Sequence, residues 1–127
     1  MSKRILWMII PLLVNHSAVA QDITFYRLHP VELQTALQQC PVTQPAGVSC
    51  EQLNKLAIRT NQFVSELQYN PQIFGQRILS LQETQAKLKM ELVDKPGALP
   101  LQTAFDENKM QLRERLAIVK WLESPRG

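Results

Sequence analysis

The stretch NPQIFGQRILSLQETQAKLKMELVDKPGALPLQTAFDENKMQLRERLAIVKWLE, residues 70–123, predicts the architecture of the whole chain. Two amphipathic segments, residues 71–93 and 101–122, flank the helix breaker at residues 94–97. Their apolar residues recur at three- and four-residue steps: Phe74, Ile78, Leu81, Leu88 and Leu92, then Leu101, Phe105, Leu112, Leu116 and Val119. This spacing places one apolar stripe along each helix. The stretch therefore predicts an antiparallel helical hairpin, and the chain an all-α, small helical bundle built on it.

The first 20 residues have the three parts of a secretory signal peptide. Lys3 and Arg4 form a basic start, residues 5–14 are almost wholly apolar, and residues 17–20 offer a small-residue cleavage site. A membrane anchor is the alternative, but it needs about 20 apolar residues. A proline and two polar residues shorten the apolar run, so we expect cleavage before Gln21 and export to the periplasm or the medium.

Charge and length describe the domain that remains after cleavage, residues 21–127. It keeps 107 of the 127 residues, enough for a single modest helical domain. The leader over residues 1–20 removes Lys3 and Arg4, so 12 basic residues face 11 acidic ones and the net charge falls from +3 to +1. This balance disfavours a nucleic-acid partner.

Two cysteines, Cys40 and Cys50, are separated by nine residues in this domain. In an exported chain the default is one disulfide that closes the loop between them. Catalysis by a cysteine needs a base, and the one histidine after the leader, His29, precedes a proline without an evident orienting partner. No zinc spacing and no glycine-rich phosphate loop is present. The sequence therefore predicts no catalytic residue, metal site or cofactor.

The residues before the hairpin predict an N-terminal arm and a short helix. We expect residues 22–28 to form an extended arm whose Phe25 and Tyr26 pack onto the helices. His29-Pro30 opens the short helix, because proline is tolerated at the first helical position. The pair Cys40-Pro41 ends it.

A capping-box pattern, Ser49 with Gln52, predicts a second helix that starts at about Cys50 and ends before Pro71. Its predicted inner face carries Leu53, Leu56, Ala57, Thr60, Phe63, Val64 and Leu67. Its predicted outer face carries Lys55, Arg59 and Glu66.

The first hairpin helix has a second apolar arc beside its main stripe. The arc consists of Leu79, Ala86, Met90 and Val93. A helix with two apolar arcs touches two neighbours, so we expect the helix that begins at Cys50 to cover one of them. Gln85 falls inside the main stripe; it is either a boundary residue that reaches water or a polar group that fixes register.

The second hairpin helix carries a candidate partner face opposite its main stripe. The face consists of Met110, Ala117, Ile118 and Trp121. Tryptophan and methionine are favoured at interfaces, which supports a contact surface here. The alternative is that the short N-terminal helix and the arm with Phe25 and Tyr26 cover this face.

Three cations, Lys109, Arg113 and Lys120, border the main stripe of the same helix. A basic edge beside an apolar face favours an anionic membrane surface or an acidic partner helix. The alternative is that these side chains are solvated and shield the seam, since three glutamates on the same helix nearly balance their charge.

Four short runs carry a family resemblance: FYRLHP at 25–30, LQQCP at 37–41, CEQL at 50–53 and NPQIFG at 70–75. They resemble a group of small exported proteins of Legionella-like and Coxiella-like bacteria, over about residues 25–81. Some members are labelled secreted endonuclease distantly related to Holliday junction resolvase. The resemblance implies a virulence-associated role and, through that label, a metal-dependent nuclease.

In resolvase-like nucleases, carboxylates near a Glu-x-Lys sequence hold Mg²⁺ on a β-hairpin core. Here Glu107 and Lys109 form that tripeptide and Asp94 precedes it, but Lys109 falls in a predicted helix. Periplasmic helical chaperones of the Spy type are a second comparison. Those proteins carry a Leu-Thr-x-x-Gln signature, which residues 79–82 of this chain match only loosely. We therefore expect an exported, non-enzymatic protein that binds a protein or a membrane surface, with the endonuclease second and the chaperone third.

Overall fold

The structure is a computed structural model that describes residues 22–124. Five helices follow one another: α1 Ile23–Leu28, α2 Pro30–Gln39, α3 Cys50–Tyr69, α4 Pro71–Asp94 and α5 Leu99–Glu123. No strand occurs between residues 22 and 124, which confirms the all-α prediction. The predicted leader, residues 1–20, lies outside the described residues.

Helices α4 and α5 form the predicted antiparallel hairpin. Asn108 on α5 is buried, and its Nδ2 donates a hydrogen bond of 2.9 Å to the Leu81 carbonyl oxygen on α4. This bond sets the register of the two helices. Helix α5 begins at Leu99, two residues earlier than predicted, because Pro100 lies in its first turn, where a missing N–H costs nothing.

The main apolar core lies where α1, α2 and α3 meet, rather than along the hairpin. Its buried residues are Tyr26, Leu33, Ala36, Val48, Leu53 and Leu56. Within the hairpin, the buried apolar residues are Phe74 and Ile118, both close to the other helices. No residue from 82 to 107, the distal half of the hairpin, is buried. Two helices alone cannot surround a side chain, so the seam of the distal half is only half covered.

Helix α3 begins at the predicted capping box. Ser49 Oγ accepts from the Gln52 backbone N–H at 3.1 Å, and Gln52 Oε1 accepts from the Ser49 backbone N–H at 2.9 Å. Both bonds satisfy amide groups that the first turn of a helix leaves free. This start directs Leu53 and Leu56 into the core.

The N-terminal arm is helical, so the prediction of an extended segment is wrong. Asp22 caps α1, because its Oδ1 accepts from the Phe25 backbone N–H at 3.2 Å. The aromatic and β-branched residues of this segment favoured a strand, and the aspartate that precedes them was the missed helix signal. Phe25 and Tyr26 do pack against the core, as expected.

The second apolar arc of α4 faces solvent, so the prediction that a neighbouring helix covers each of the two arcs is wrong. Met90 is 71% exposed and Val93 is 77% exposed. Ring and ion-pair contacts between α3 and α4 occur near the start of α4, where Phe63 meets Phe74 and Glu66 meets Arg77. Beyond these turns α3 leaves α4, since its other end must pack against α2 in the main core.

Gln85 is half-buried in the seam. Its Oε1 is buried and has no hydrogen-bond partner among the described residues. That oxygen therefore neither reaches water nor fixes the register of the hairpin. An unpaired buried carbonyl oxygen costs about 1 to 3 kcal/mol of stability.

The predicted disulfide joins Cys40 to Cys50 and so ties the end of α2 to the start of α3. Gly47 in the enclosed loop has a φ of 82°, a backbone conformation that favours glycine. The chain turns there, and the next residue, Val48, enters the core.

We expect the double variant Cys40→Ser/Cys50→Ser to lower the free energy of unfolding by about 2 to 3 kcal/mol, because the loop no longer restricts the unfolded chain. Urea denaturation measures this. Wild type with reductant should match the double variant, which should itself be insensitive to reductant. Equal stability of oxidised wild type and the variant would contradict the prediction.

We expect Gln85→Leu to raise the free energy of unfolding by about 1 kcal/mol, because it replaces an unpaired buried oxygen with apolar surface inside the seam. Thermal unfolding followed by circular dichroism measures this. Gln76→Leu, on the exposed surface of the same helix, is the matched control. A Gln85→Leu variant no more stable than wild type would show that the amide contributes more than its contacts suggest.

Candidate binding groove

A buried carboxylate on α5, that of Glu114, holds the helices around the groove in place. Its side chain is 1% exposed and lies between two arginines. Arg27 of α1 donates to Oε1 at 3.0 Å, while Arg59 of α3 donates to Oε2 at 2.8 Å and to Oε1 at 3.0 Å. One carboxylate thus joins three helices.

Burial and charge act in opposite directions on Glu114. Burial by itself raises the pKa of its carboxyl, but the hydrogen bonds and charges of Arg59 and Arg27 outweigh it and lower the pKa below the ordinary value of 4.5. The same hydrogen bond to Glu114 raises the pKa of Arg59. Glu114 therefore stays ionised and acts as a structural anion.

A second charged cluster lies one residue further along α5. Arg115 donates to Glu66 Oε1 at 2.8 Å, and Arg77 of α4 lies 3.3 Å from Glu66 Oε2. The Arg115 guanidinium also lies over the rings of Phe63 and Phe74, at 4.6 and 4.9 Å from their centroids.

These contacts correct the predicted outer face of α3. Arg59 and Glu66 turn toward α5, and of the three predicted residues only Lys55 is exposed without an ion pair among the described residues. The helical periodicity of α3 gave no sign that Arg59 and Glu66 pair with Glu114 and Arg115 on a distant helix.

The residues implied by the nuclease resemblance are not brought together. Because Asn108 meets Leu81, and Asp94 lies thirteen residues beyond Leu81 on α4, Asp94 and Glu107 are separated by about 20 Å along the hairpin. Glu107 lies instead 3.6 Å from Arg27, and Lys109 is exposed. Between residues 22 and 124, no cluster of three histidine, cysteine or acidic side chains could hold a metal ion.

The candidate partner face is largely covered. Ile118 is 1% exposed and belongs to the interior, so its place on an open contact face was a wrong prediction. Met110, Ala117 and Trp121 are partly buried. Trp121 lines a cavity of about 90 Å³ together with residues of α2 and α3, which are Pro30, Leu33, Gln34, Leu37, Ala57, Thr60 and Asn61. The reason is that α1 and α2 fold back against α5.

What remains accessible is a groove between the α1–α2 corner and the last turns of α5. Two adjoining cavities of about 290 Å³ each form it, and both contain Leu28, His29, Ala117 and Lys120. The first also contains Pro30, Val31, Glu32, Trp121 and Ser124, and the second Arg113 and Leu116. The groove thus has an apolar floor and a mainly basic rim.

The imidazole of His29 is held at the rim by its own helix. Its Nδ1 donates to the Phe25 carbonyl oxygen at 2.7 Å. The imidazole also stacks on the Phe25 ring, with centroids 4.0 Å apart. The sequence did not point to His29 or Leu28 as groove residues. They reach the groove only because α1 and α2 turn back onto α5.

The basic edge is exposed as a whole, since Lys109, Arg113 and Lys120 all face solvent. None of the three has an ion-pair partner among the described residues. Arg113 and Lys120 line the groove beside Ala117 and Trp121. The structure therefore joins part of the predicted face to part of the predicted edge.

Comparison of the chain with protein-family models, curated proteins and solved structures finds no match in any of the three. No helix in the described part of the chain is long and apolar enough to cross a membrane.

We expect the Glu114 carboxylate to make stability depend on pH. Its pKa is lowered on folding, so its contribution is complete above the ordinary value of 4.5 and is lost as the pH falls through the lower, folded value. Glu114→Gln should cost about 3 kcal/mol at pH 7, because it leaves Arg59 without its ion pair and Arg27 with only the more distant Glu107. The difference from wild type should shrink below about pH 4.

Urea denaturation at a series of pH values checks this. Glu83→Gln is the control, since Glu83 is exposed and has no ion pair in the described structure. A stability difference between Glu114→Gln and wild type that stays constant from pH 7 to pH 3 would argue against an ionised Glu114.

Proposed function

We propose that this protein is an exported, non-enzymatic binding protein whose groove takes an acidic, apolar segment of a protein partner. The observation that carries the proposal is the juxtaposition of Trp121 on the floor with two unpaired cations, Arg113 and Lys120, on the rim. The leader-like first 20 residues and the disulfide support export.

The apolar floor favours a partner that inserts side chains. Leu116, which is 44% exposed, lines one cavity of the groove and the half-buried Trp121 lines the other, so burying both would contribute apolar area to binding. Each cavity is near the lower end of the range for small-ligand pockets. Such volumes suit one or two apolar side chains of a polypeptide.

The charge of the rim favours an acidic partner. Arg113 and Lys120 are free to pair with carboxylates, and the one acidic side chain that lines the groove is Glu32, at the α2 end. Opposite charges at an exposed rim increase the rate of association and fix orientation. They also make binding sensitive to salt.

The shape of the surface favours a protein over a membrane. Peripheral membrane proteins insert apolar side chains that project from the surface. Here Trp121 is recessed between α2 and α5, where it also lines the small cavity beside Leu33 and Ala57. A recessed apolar surface is better suited to receive a side chain of a protein partner than to insert into a bilayer.

The chemistry of the groove favours binding without catalysis. His29 and Ser124 are the groove residues with counterparts in a Ser-His-Asp triad, and no hydrogen bond joins them in the described structure. The Nδ1 of His29 is held by a backbone carbonyl where an orienting carboxylate stands in a catalytic triad. The strongly held charges, Glu114 and its two arginines, are already paired with one another.

Export and binding can be tested on one preparation. The full chain is expressed with its own first 20 residues in a bacterial host, and mass spectrometry of the exported protein reads its N-terminus. Cleavage before Gln21 removes Trp7 and leaves Trp121 as the sole tryptophan, a direct fluorescent probe of the groove. A chain that keeps its leader would overturn the export part of the proposal.

The probe is a nine-residue peptide with two leucines flanked by glutamates. Its binding is measured by Trp121 fluorescence and by calorimetry. We expect Arg113→Glu/Lys120→Glu to weaken its binding about tenfold or more, through like-charge repulsion at the rim. Lys55→Glu is the control, because Lys55 is an exposed, unpaired lysine on α3 outside the groove.

Equal binding by wild type and the double variant would contradict the proposal, and so would no binding at all. Vesicles of anionic phospholipid form a separate arm of the experiment. A Trp121 response to vesicles but not to the peptide would replace the protein partner with a membrane.

A further inference from the structure

A second cavity lies next to the groove, between α4 and α5. It measures about 260 Å³ and is lined by Gln82, Gln85, Ala86, Lys89 and Leu112. Leu112 is one helical turn before Leu116, which lines the groove. The cavity and the groove are therefore neighbours along α5.

The residues between them share one side of α5. At about 100° per residue, Lys109, Leu112, Arg113, Leu116 and Lys120 fall within an arc of roughly 100°. Leu112 and Leu116 form an apolar line along this arc, and the cations lie beside it. The groove thus continues as an apolar strip toward the distal half of the hairpin.

The charge of this strip has one sign. Lys89 on α4 and Lys109, Arg113 and Lys120 on α5 have no ion-pair partner among the described residues. The one acidic residue of α5 between Lys109 and Lys120 is Glu114, which is buried on another side of the helix. The strip therefore offers four cations to one partner.

The hairpin leaves this side of its seam open. Leu112 is half-buried, and no residue from 82 to 107 is buried, because α3 contacts the hairpin only near the start of α4 and the end of α5. A third helix laid along the two would cover the seam, as in a three-helix bundle.

We propose that the partner segment is an acidic amphipathic helix of at least three turns, which lies along this arc of α5 from Lys120 to the level of Lys89. This inference rests on the proposed function and specifies its partner. Lys109 and Lys120 are eleven residues apart, about 16 Å along α5, so contact with these two cations alone takes three helical turns, and contact with Lys89 on α4 takes more. Leucines of the partner at four-residue spacing match Leu112 and Leu116, and its flanking glutamates meet the four cations.

Three peptides test the inference against the exported protein. The first is the nine-residue acidic peptide already described. The second is an 18-residue peptide that contains it and continues its leucines at three- and four-residue steps with glutamates beside them. The third has the composition of the second in an order that scatters its leucines around the helix.

We expect the 18-residue peptide to bind at least tenfold more tightly than the nine-residue one and to gain helical circular dichroism on binding. Lys89→Glu and Lys109→Glu should each weaken the binding of the 18-residue peptide about fivefold and leave the affinity for the nine-residue peptide unchanged. Lys87→Glu, an exposed lysine of α4 that lies outside the cavity, should change neither.

The outcomes separate this inference from the proposed function. If the 18-residue peptide binds no more tightly than the short one while Arg113→Glu/Lys120→Glu weakens both, the long partner helix is excluded and the groove remains. If the scattered peptide binds as well as the ordered one, charge alone acts and the amphipathic helix is excluded. If no peptide binds, both proposals fail.

Discussion

The buried carboxylate of Glu114 is the contact on which the arrangement of the helices depends. It takes hydrogen bonds from Arg27 on α1 and Arg59 on α3, so one side chain of α5 orients two other helices. A buried charge without partners would cost several kcal/mol. The fold is therefore stable only with α1 and α3 on this side of α5, and that constraint brings the α1–α2 corner to the groove.

The same constraint divides the hairpin into two unequal halves. Near Phe74 and Ile118 the hairpin is enclosed by other helices, and there its residues are buried. From residue 82 to 107 no residue is buried, and the seam stays half-exposed. A protein of this size gains most of its stability from the enclosed part. The open part is then free to serve as a surface for another helix.

Burial and pairing together separate structural charges from those free to bind. Arg27, Arg59 and Arg115 are held by glutamates inside the molecule, whereas Arg113 and Lys120 are exposed and unpaired at the groove. Pairing within the chain consumes the capacity of a cation to meet an acidic partner. This distinction, more than the net charge of the chain, supports a binding role for one edge of α5.

Local pattern by itself determined helices α2 to α5, the capping box of α3 and the disulfide, since the three- and four-residue steps, the Ser49 and Gln52 pair and the spacing of Cys40 and Cys50 act over short distances. It also placed Arg113 and Lys120 on a basic edge, while the cap at Asp22 was present in the sequence and missed. Only the tertiary structure decided that Ile118 is interior, that the outer arc of α4 is exposed, and that Leu28 and His29 complete the groove. The physical reason is that coverage of a face depends on which distant helix packs there. Glu114 pairs with Arg27, 87 residues away in the sequence, and with Arg59, 55 residues away, and such pairing has no signature in the local order of residues.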